Sequence, residues 1–203
     1  MTRIFLFSVF LGFLLGYTVR GHAAESGTSL AAALNYGPSS LSDGSAPGID
    51  THGTFRQAIA LLSRSTARWS YGAGFGFFAS DLTGKSRAAP ASGAALALDS
   101  FSRTVSGEVA RLSGRYRMGD HFEAGLSADL LFGSDVSFSS NLFDSSSSTA
   151  WLMGTELLYC FGNGSDLFGL RLKAGARAFA SLGLPDRRLD AVQAVFEAGA
   201  PIF

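Results

Sequence analysis

The chain has 203 residues, 47% of them hydrophobic and 12% aromatic, with 16 Lys and Arg balanced by 16 Asp and Glu and a single cysteine, Cys160. That balance leaves no basic face for nucleic acid, and one cysteine excludes an intrachain disulfide. The length suits one domain.

The chain opens with the composition of a secretory signal. Arg3 gives a basic start, Ile4 to Tyr17 is an uncharged and mostly apolar run, and Gly21-His22-Ala23-Ala24 offers small residues for cleavage. The run has 14 residues, short of the roughly 20 a membrane-spanning helix needs. Cleavage after residue 24 removes Arg3 and Arg20, so 16 − 2 = 14 basic residues face 16 acidic ones and the formal charge is −2. Residues 25–203 then form the single mature domain.

Eight segments follow that alternate apolar and polar residues, as a strand with one greasy face does. In 29–36, Leu30, Ala32, Leu34 and Tyr36 share a face. In 53–64, Phe55, Ile59 and Leu61 oppose Arg56 and Arg64, which turns Gln57 to the apolar side. WSYGAGFGFFAS (69–80) sets Trp69, Tyr71, Phe75 and Phe77 against Gly72, Gly74 and Gly76. SGEVARLSGRYRM (106–118) sets Ala110, Leu112, Tyr116 and Met118 against Arg111, Arg115 and Arg117. HFEAGLSADLLFG (121–133) sets Phe122, Leu126 and Leu130 against Glu123, Ser127 and Asp129. WLMGTELLYCF (151–161) sets Trp151, Met153, Leu157 and Tyr159 against Gly154 and Glu156. LFGLRLKAGARAF (167–179) sets Phe168, Leu170 and Leu172 against Arg171, Lys173 and Arg177. In 190–203, Val192, Ala194, Phe196 and Ile202 share a face, although Leu189, Val192, Val195 and Phe196 also recur at helical spacing. That end reads as a strand, with a short amphipathic helix or a truncated frame as alternatives.

Nine charges fall on the small or polar phase: Arg111, Arg115, Arg117, Glu123, Asp129, Glu156, Arg171, Lys173 and Arg177. Glu108 is on the apolar phase, at the loop end of its segment. Phe78, Leu131, Leu152, Leu158 and Phe179 stray the other way. Without a helix long enough to span, a membrane chain has to close into a barrel, and the charged phase then lies inside. Arg or Lys turned to mid-bilayer would cost about 2–4 kcal/mol each. Leu126→Arg is thus expected to block membrane assembly, and Ser127→Arg to be better tolerated.

The links alternate long (37–52, 81–105, 133–150, 180–189) with short (65–68, 119–120, 162–166), as extracellular loops alternate with periplasmic turns. Gly119-Asp120 and Gly162-Asn163-Gly164 have turn chemistry. Apolar matching puts Met118 opposite Phe122, which sets Arg117 against Glu123 and Arg111 against Asp129. Phe161 opposite Phe168 would set Glu156 against Lys173 and Trp151 against Ala178. Aromatics gather near the short turns (Trp69, Tyr116, Phe122, Phe161, Phe168) and, more thinly, near the long loops (Phe77, Phe132, Trp151), as at two bilayer interfaces. Eight strands leave room only for side chains, so the interior charges are expected to pair and plug it. Gly72, Gly74 and Gly76 leave space for long side chains from across the barrel.

This pattern resembles the small outer-membrane β-barrels of Gram-negative bacteria, the OmpA/OmpX-like eight-stranded family. The resemblance rests on the signal, the segments 69–80, 106–118, 121–132, 151–161 and 167–179, and the loop alternation. It implies an all-β, up-and-down antiparallel transmembrane barrel, with lipid and the barrel-assembly machinery as partners. Members usually end in an aromatic residue preceded by alternating apolar residues. This chain ends in Phe203, but counting back by two gives Pro201, Gly199 and Glu197.

Some such barrels modify lipids with a nucleophile and a nearby His. Here His22 leaves with the signal, His121 is beside a turn and His52 ends a loop, so no triad assembles. No metal spacing appears at Asp43, Asp50 and Asp81, and Gly72-x-Gly74-x-Gly76 lacks the setting of a nucleotide fingerprint. Cys160 reads as a buried small side chain. Neither a catalytic site nor a cofactor is expected. The leading reading is a non-enzymatic structural or surface-interaction barrel whose loops meet an extracellular ligand. A narrow porin-like channel and a secreted soluble ligand-binding barrel are the alternatives.

Overall fold

A computed structural model describes residues 27–43, 49–66, 68–86, 100–138, 149–161, 170–182 and 187–202. The signal segment 1–24, the turn at 162–166 and Phe168 lie outside the described residues. Eight strands form: β1 (Gly27–Asp43), β2 (Ile49–Ser65), β3 (Trp69–Ser86), β4 (Ser100–Met118), β5 (Phe122–Phe138), β6 (Thr149–Phe161), β7 (Arg171–Leu182) and β8 (Arg187–Pro201). Each pairs antiparallel with the next, and β8 pairs with β1. The fold is an all-β, up-and-down closed barrel with no free sheet edge. This is the architecture that the OmpA/OmpX-like resemblance implies.

The tail is a strand. Its Val192 and Phe196 stand on the outer wall, while Gln193, Val195 and Glu197 are buried inside. Closure favours this over a helix, because an unpaired β1 edge would leave its backbone groups without partners.

The strands run further at the long-loop ends than the alternation alone shows. Residues 37–43 and 49–52 belong to β1 and β2, 81–86 and 100–105 to β3 and β4, 133–138 and 149–150 to β5 and β6, and 180–182 and 187–189 to β7 and β8. Backbone pairing continues there although Ser, Gly and Thr blur the pattern. Glu108 therefore sits mid-strand, opposite Phe77 and Phe132 and beside a bulge between Ser106 and Glu108, rather than at a strand end.

The β4–β5 register pairs Met118 with Phe122, Arg117 with Glu123 and Arg111 with Asp129, as parity and the short turn require. Gly119, with φ of 69°, takes the left-handed conformation in that turn. The β6–β7 register differs from expectation by four residues. Trp151 faces Leu182, Glu156 faces Arg177, and Phe161 faces Leu172. An even shift keeps every side chain on its face, so the charge pattern cannot detect it. Packing decides instead: the observed register sets Gly154 against Phe179 and Gly175 against Leu158. Each inward glycine thus meets a large apolar neighbour.

The β2 face is inverted relative to expectation. Phe55, Gln57, Ile59 and Leu61 are buried inside, and Arg56 is on the outer wall. The reason is a layered interior. Its loop-side half is a cluster of Phe55, Ile59, Phe78, Val109, Leu131, Leu152 and Phe179. The apolar strays Phe78, Leu131, Leu152 and Phe179 are therefore part of a second core, in which Phe55 stacks on Phe78 at 5.7 Å and meets Phe179 edge-on at 5.3 Å. Gly72 and Gly74 make room for Leu61 and Ile59 of the adjacent β2, not for side chains from the far wall. At Gly76 an added Cβ would fall on the Ala58 carbonyl oxygen.

The outer wall carries Trp69, Tyr71, Phe75, Leu112, Phe122, Leu126, Trp151 and Phe161 exposed. At the short-turn end, Trp69 packs on Tyr116 at 5.0 Å, and Tyr159 touches both Phe122 and Phe161, at 5.3 and 5.1 Å. Higher up, Phe75 lies 5.9 Å from Phe132. Above them, outward Arg56 donates to Asp81 at 3.0 Å, and Asp81 also accepts from Thr104 at 3.1 Å.

Candidate functional site

Strand alternation aims every second side chain into a lumen that eight strands make just wide enough to fill. The structure places Arg111, Arg115, Glu123, Asp129, Glu156 and Arg177 there, each at most 4% exposed. Lys173 is mostly buried, Arg117 is half-buried at the mouth, and Arg171 is partly buried.

These side chains form two tiers. The tier next to the apolar layer is built on Asp129. It accepts from Arg111 Nε at 2.8 Å and Nη2 at 2.9 Å, from Arg177 Nη1 at 2.8 Å and from Gln57 Nε2 at 2.9 Å. Gln57 Oε1 in turn accepts from Arg111 at 2.8 Å and Arg177 at 3.2 Å, and Arg177 Nε donates to Ser127 at 2.8 Å. The end of the Asn35 amide lies 2.8 and 2.9 Å from the terminal nitrogens of Arg111 and 3.0 Å from Gln57 Oε1, so Asn35 packs against this tier. Arg177 also sits over the Phe179 ring, 5.1 Å from its centroid, and so couples this tier to the apolar layer.

The tier nearer the short turns is a chain of ion pairs. Arg115 Nε donates to Glu156 at 2.6 Å, and its Nη1 donates to Glu197 at 2.7 Å. Lys173 lies 2.8 Å from Glu123 and 3.5 Å from Glu197. Arg117 reaches Glu123 at 3.6 Å. Among the described residues of these two tiers, four cations, Arg111, Arg115, Lys173 and Arg177, face four anions, Glu123, Asp129, Glu156 and Glu197. An unmatched charge here would cost several kcal/mol in desolvation.

Eight of the nine charges contact one another: Arg111 with Asp129 and Arg117 with Glu123 meet as the expected cross-strand pairs, whereas the partners of Lys173 and Glu156 differ from the expected ones. Lys173 meets Glu123 and Glu197, while Glu156 meets Arg115. Glu197, Asn35 and Gln193 belong to the same interior without having been expected there; Ser127 lies on the inner phase as expected, and Gln57 lies inside rather than on the outer side. Glu197 was visible in principle, because it falls opposite the Val192–Phe196 phase. Chemically, the arrangement cross-links walls: Glu123, Asp129, Glu156 and Glu197 are each engaged by a cation from another strand. Among the described residues no group of three or more His, Cys, Asp or Glu is placed to hold a metal ion. Cys160 is partly buried opposite Lys173, and His121 stacks on Tyr159 at 5.6 Å. His52 is exposed on the outer wall, away from this network.

No protein-family model and no curated protein sequence matches the chain. Among solved structures, it is similar to Neisserial surface protein A at 14% identity, covering 86% of this chain and 98% of that one with a TM-score of 0.46. It is similar also to Ail, the attachment invasion locus protein of Yersinia pestis, solved with the heparin analogue sucrose octasulfate, at 11% identity, 85% and 99% coverage and a TM-score of 0.46.

Proposed function

We propose that the protein is an integral outer-membrane barrel with a structural or surface-interaction role and no enzymatic activity. On this reading residues 1–24 are a cleaved signal, the assembly machinery inserts residues 25–203, and the loops between paired strands meet the outside. The observation that carries it is the division of the wall. Leu112 is 63% and Leu126 62% exposed outside, while Arg111 and Asp129, each one residue or three from them in sequence, are 1% and 0% exposed inside. Water would favour the reverse arrangement, whereas hydrocarbon favours this one. Aromatics at the short-turn end and the Arg56–Asp81–Thr104 group at the other bound the apolar band, as interfaces do. The paired charges act as a brace that fills the lumen, which argues against a porin-like channel.

Membrane fractionation combined with gel migration tests it. The folded protein is expected in the outer-membrane fraction and to shift mobility on boiling. Recovery as a soluble periplasmic protein would overturn the reading.

A further inference from the structure

The short-turn mouth of the lumen holds a small pocket lined by Arg68, Trp69, Ser70, Arg115, Arg117 and Glu123. Register explains why these residues meet. Ser70 is the cross-strand neighbour of Arg115. Arg117 N donates to the Arg68 carbonyl at 2.8 Å, which carries the β3–β4 pairing one residue past Trp69. Arg68 thereby stands beside Arg117 at the rim, where both reach solvent.

One donor at the back of this pocket is unused. Arg115 is 2% exposed, its Nε is taken by Glu156 and its Nη1 by Glu197, and its Nη2 is buried without a partner. A buried donor left bare costs free energy and calls for an acceptor. Beside it the Ser70 hydroxyl accepts from Ser65 at 3.3 Å, which leaves its own O–H to donate. The charge balance points the same way. Among the described residues that line the pocket or pair with its lining, Arg68, Arg115, Arg117 and Lys173 stand against Glu123, Glu156 and Glu197, and 4 − 3 = 1 positive charge is left over. The lining carboxylate, Glu123, is occupied by Lys173 at 2.8 Å and Arg117 at 3.6 Å.

Spare donors and a surplus positive charge suit an anion, and the planar guanidinium fork matches the oxygens of a phosphate group. We propose that the short-turn mouth binds one phosphate group, held by Arg115 Nη2 from within and by Arg68 and Arg117 from the rim. The pocket is closed while both rim side chains line it, so they turn outward to admit the group and then close on it. Exposed side chains make such rotamer changes within nanoseconds. Free phosphate and the head of a phospholipid present the same group. Trp69 lines the pocket and is also exposed on the outer wall, so it borders both routes of entry. Binding there depends on the mouth alone and not on what covers the wall.

The test uses the mature protein folded in dodecyl maltoside, a detergent without phosphate, in a Trp151→Phe background that leaves Trp69 as the remaining tryptophan. Inorganic phosphate, exchanged for chloride at constant ionic strength, is expected to change Trp69 emission along a saturable curve. Arg68→Gln and, separately, Arg117→Gln are expected to weaken the apparent affinity about fivefold or more. The boiling-dependent gel shift reports that each variant is folded, and Arg68→Gln decides alone if Arg117→Gln fails to fold. Arg64→Gln, at the same end of β2 but outside the pocket, is expected to leave the curve unchanged. Dihexanoyl phosphatidylglycerol, added below its micelle concentration, separates the sources. Saturation at a lower concentration than inorganic phosphate assigns the lipid head, the reverse order assigns the free ion, and either supports the site. No saturable response to either probe, an equal response to chloride, a curve unmoved by Arg68→Gln, or an equal loss with Arg64→Gln would overturn the site and leave water as the partner of Arg115 Nη2.

Discussion

Arg115 and Glu197 stand on opposite walls of the barrel, on β4 and β8, and meet at 2.7 Å although 82 residues separate them in sequence. Glu197 also lies 3.5 Å from Lys173 of β7. One carboxylate therefore ties three strands together inside a lumen from which water is largely excluded. Such a group matters more for what its loss leaves behind than for its own net contribution.

Glu197→Ala strips a partner from two buried cations at once. It is expected to lower stability by about 3–5 kcal/mol, as breaking a buried ion pair does. Urea unfolding of the barrel in lipid, followed by tryptophan fluorescence, reads this. A loss below about 1 kcal/mol would mean the tier is wet or rearranges freely.

Leu126→Arg places a charge on the outer wall, where it is expected to cost about 2–4 kcal/mol near the bilayer midplane. The companion substitution needs revision in the light of the structure. Ser127 is buried and accepts from Arg177 Nε at 2.8 Å, so Ser127→Arg would press a second guanidinium onto the first. Both Arg variants are expected to assemble poorly, whereas Ser127→Ala, losing one hydrogen bond, is expected to cost about 1–3 kcal/mol. The fraction showing the folded gel mobility measures all three.

Gly76→Ala and Gly114→Ala separate backbone crowding from mere loss of flexibility. At Gly76 the new methyl falls on the Ala58 carbonyl, so β2 and β3 have to spread, with an expected loss of about 1–3 kcal/mol. At Gly114 the nearest atom is Tyr71 Cδ1 at 3.9 Å, and the change is expected to be neutral or stabilising by up to about 1 kcal/mol. Urea midpoints that fall equally for both would contradict the assigned packing.

Two stacked barriers, the ionic tiers and the Phe55–Phe78–Phe179 layer, close the lumen. In planar bilayers the protein is expected to show no steady open level. A reproducible conductance would mean that one of the layers moves as a unit.

How far these features can be read from residues alone depends on what fixes each one. The strands β3 to β8 and their faces follow from a period of two, and the β4–β5 register follows from parity across a tight turn. The β2 face does not, because apolar side chains are wanted on both sides of the wall at that height. Only the Arg56–Asp81 pair and the company of Phe55 reveal which side is which. The β6–β7 register is hidden for a different reason. Shifts of two or four residues conserve every face, and the choice rests on Gly154 fitting Phe179 and Gly175 fitting Leu158. Interior partnerships such as Arg115 with Glu156 cross the lumen and leave no trace in local spacing.

The seam between β1 and β8 runs from Asp43–Arg187 to Ser29–Pro201, pairs that lie 187 − 43 = 144 to 201 − 29 = 172 positions apart in sequence. Until that seam closes Glu197 has no Arg115 to meet, and the first strand has a bare edge. Contacts so distant along the chain make for slow folding with a high entropic barrier. Completion is therefore chemically distinct from near-completion: the latch catches only when the last ribbon arrives, and a barrel short by one strand retains an unbalanced charge at its centre.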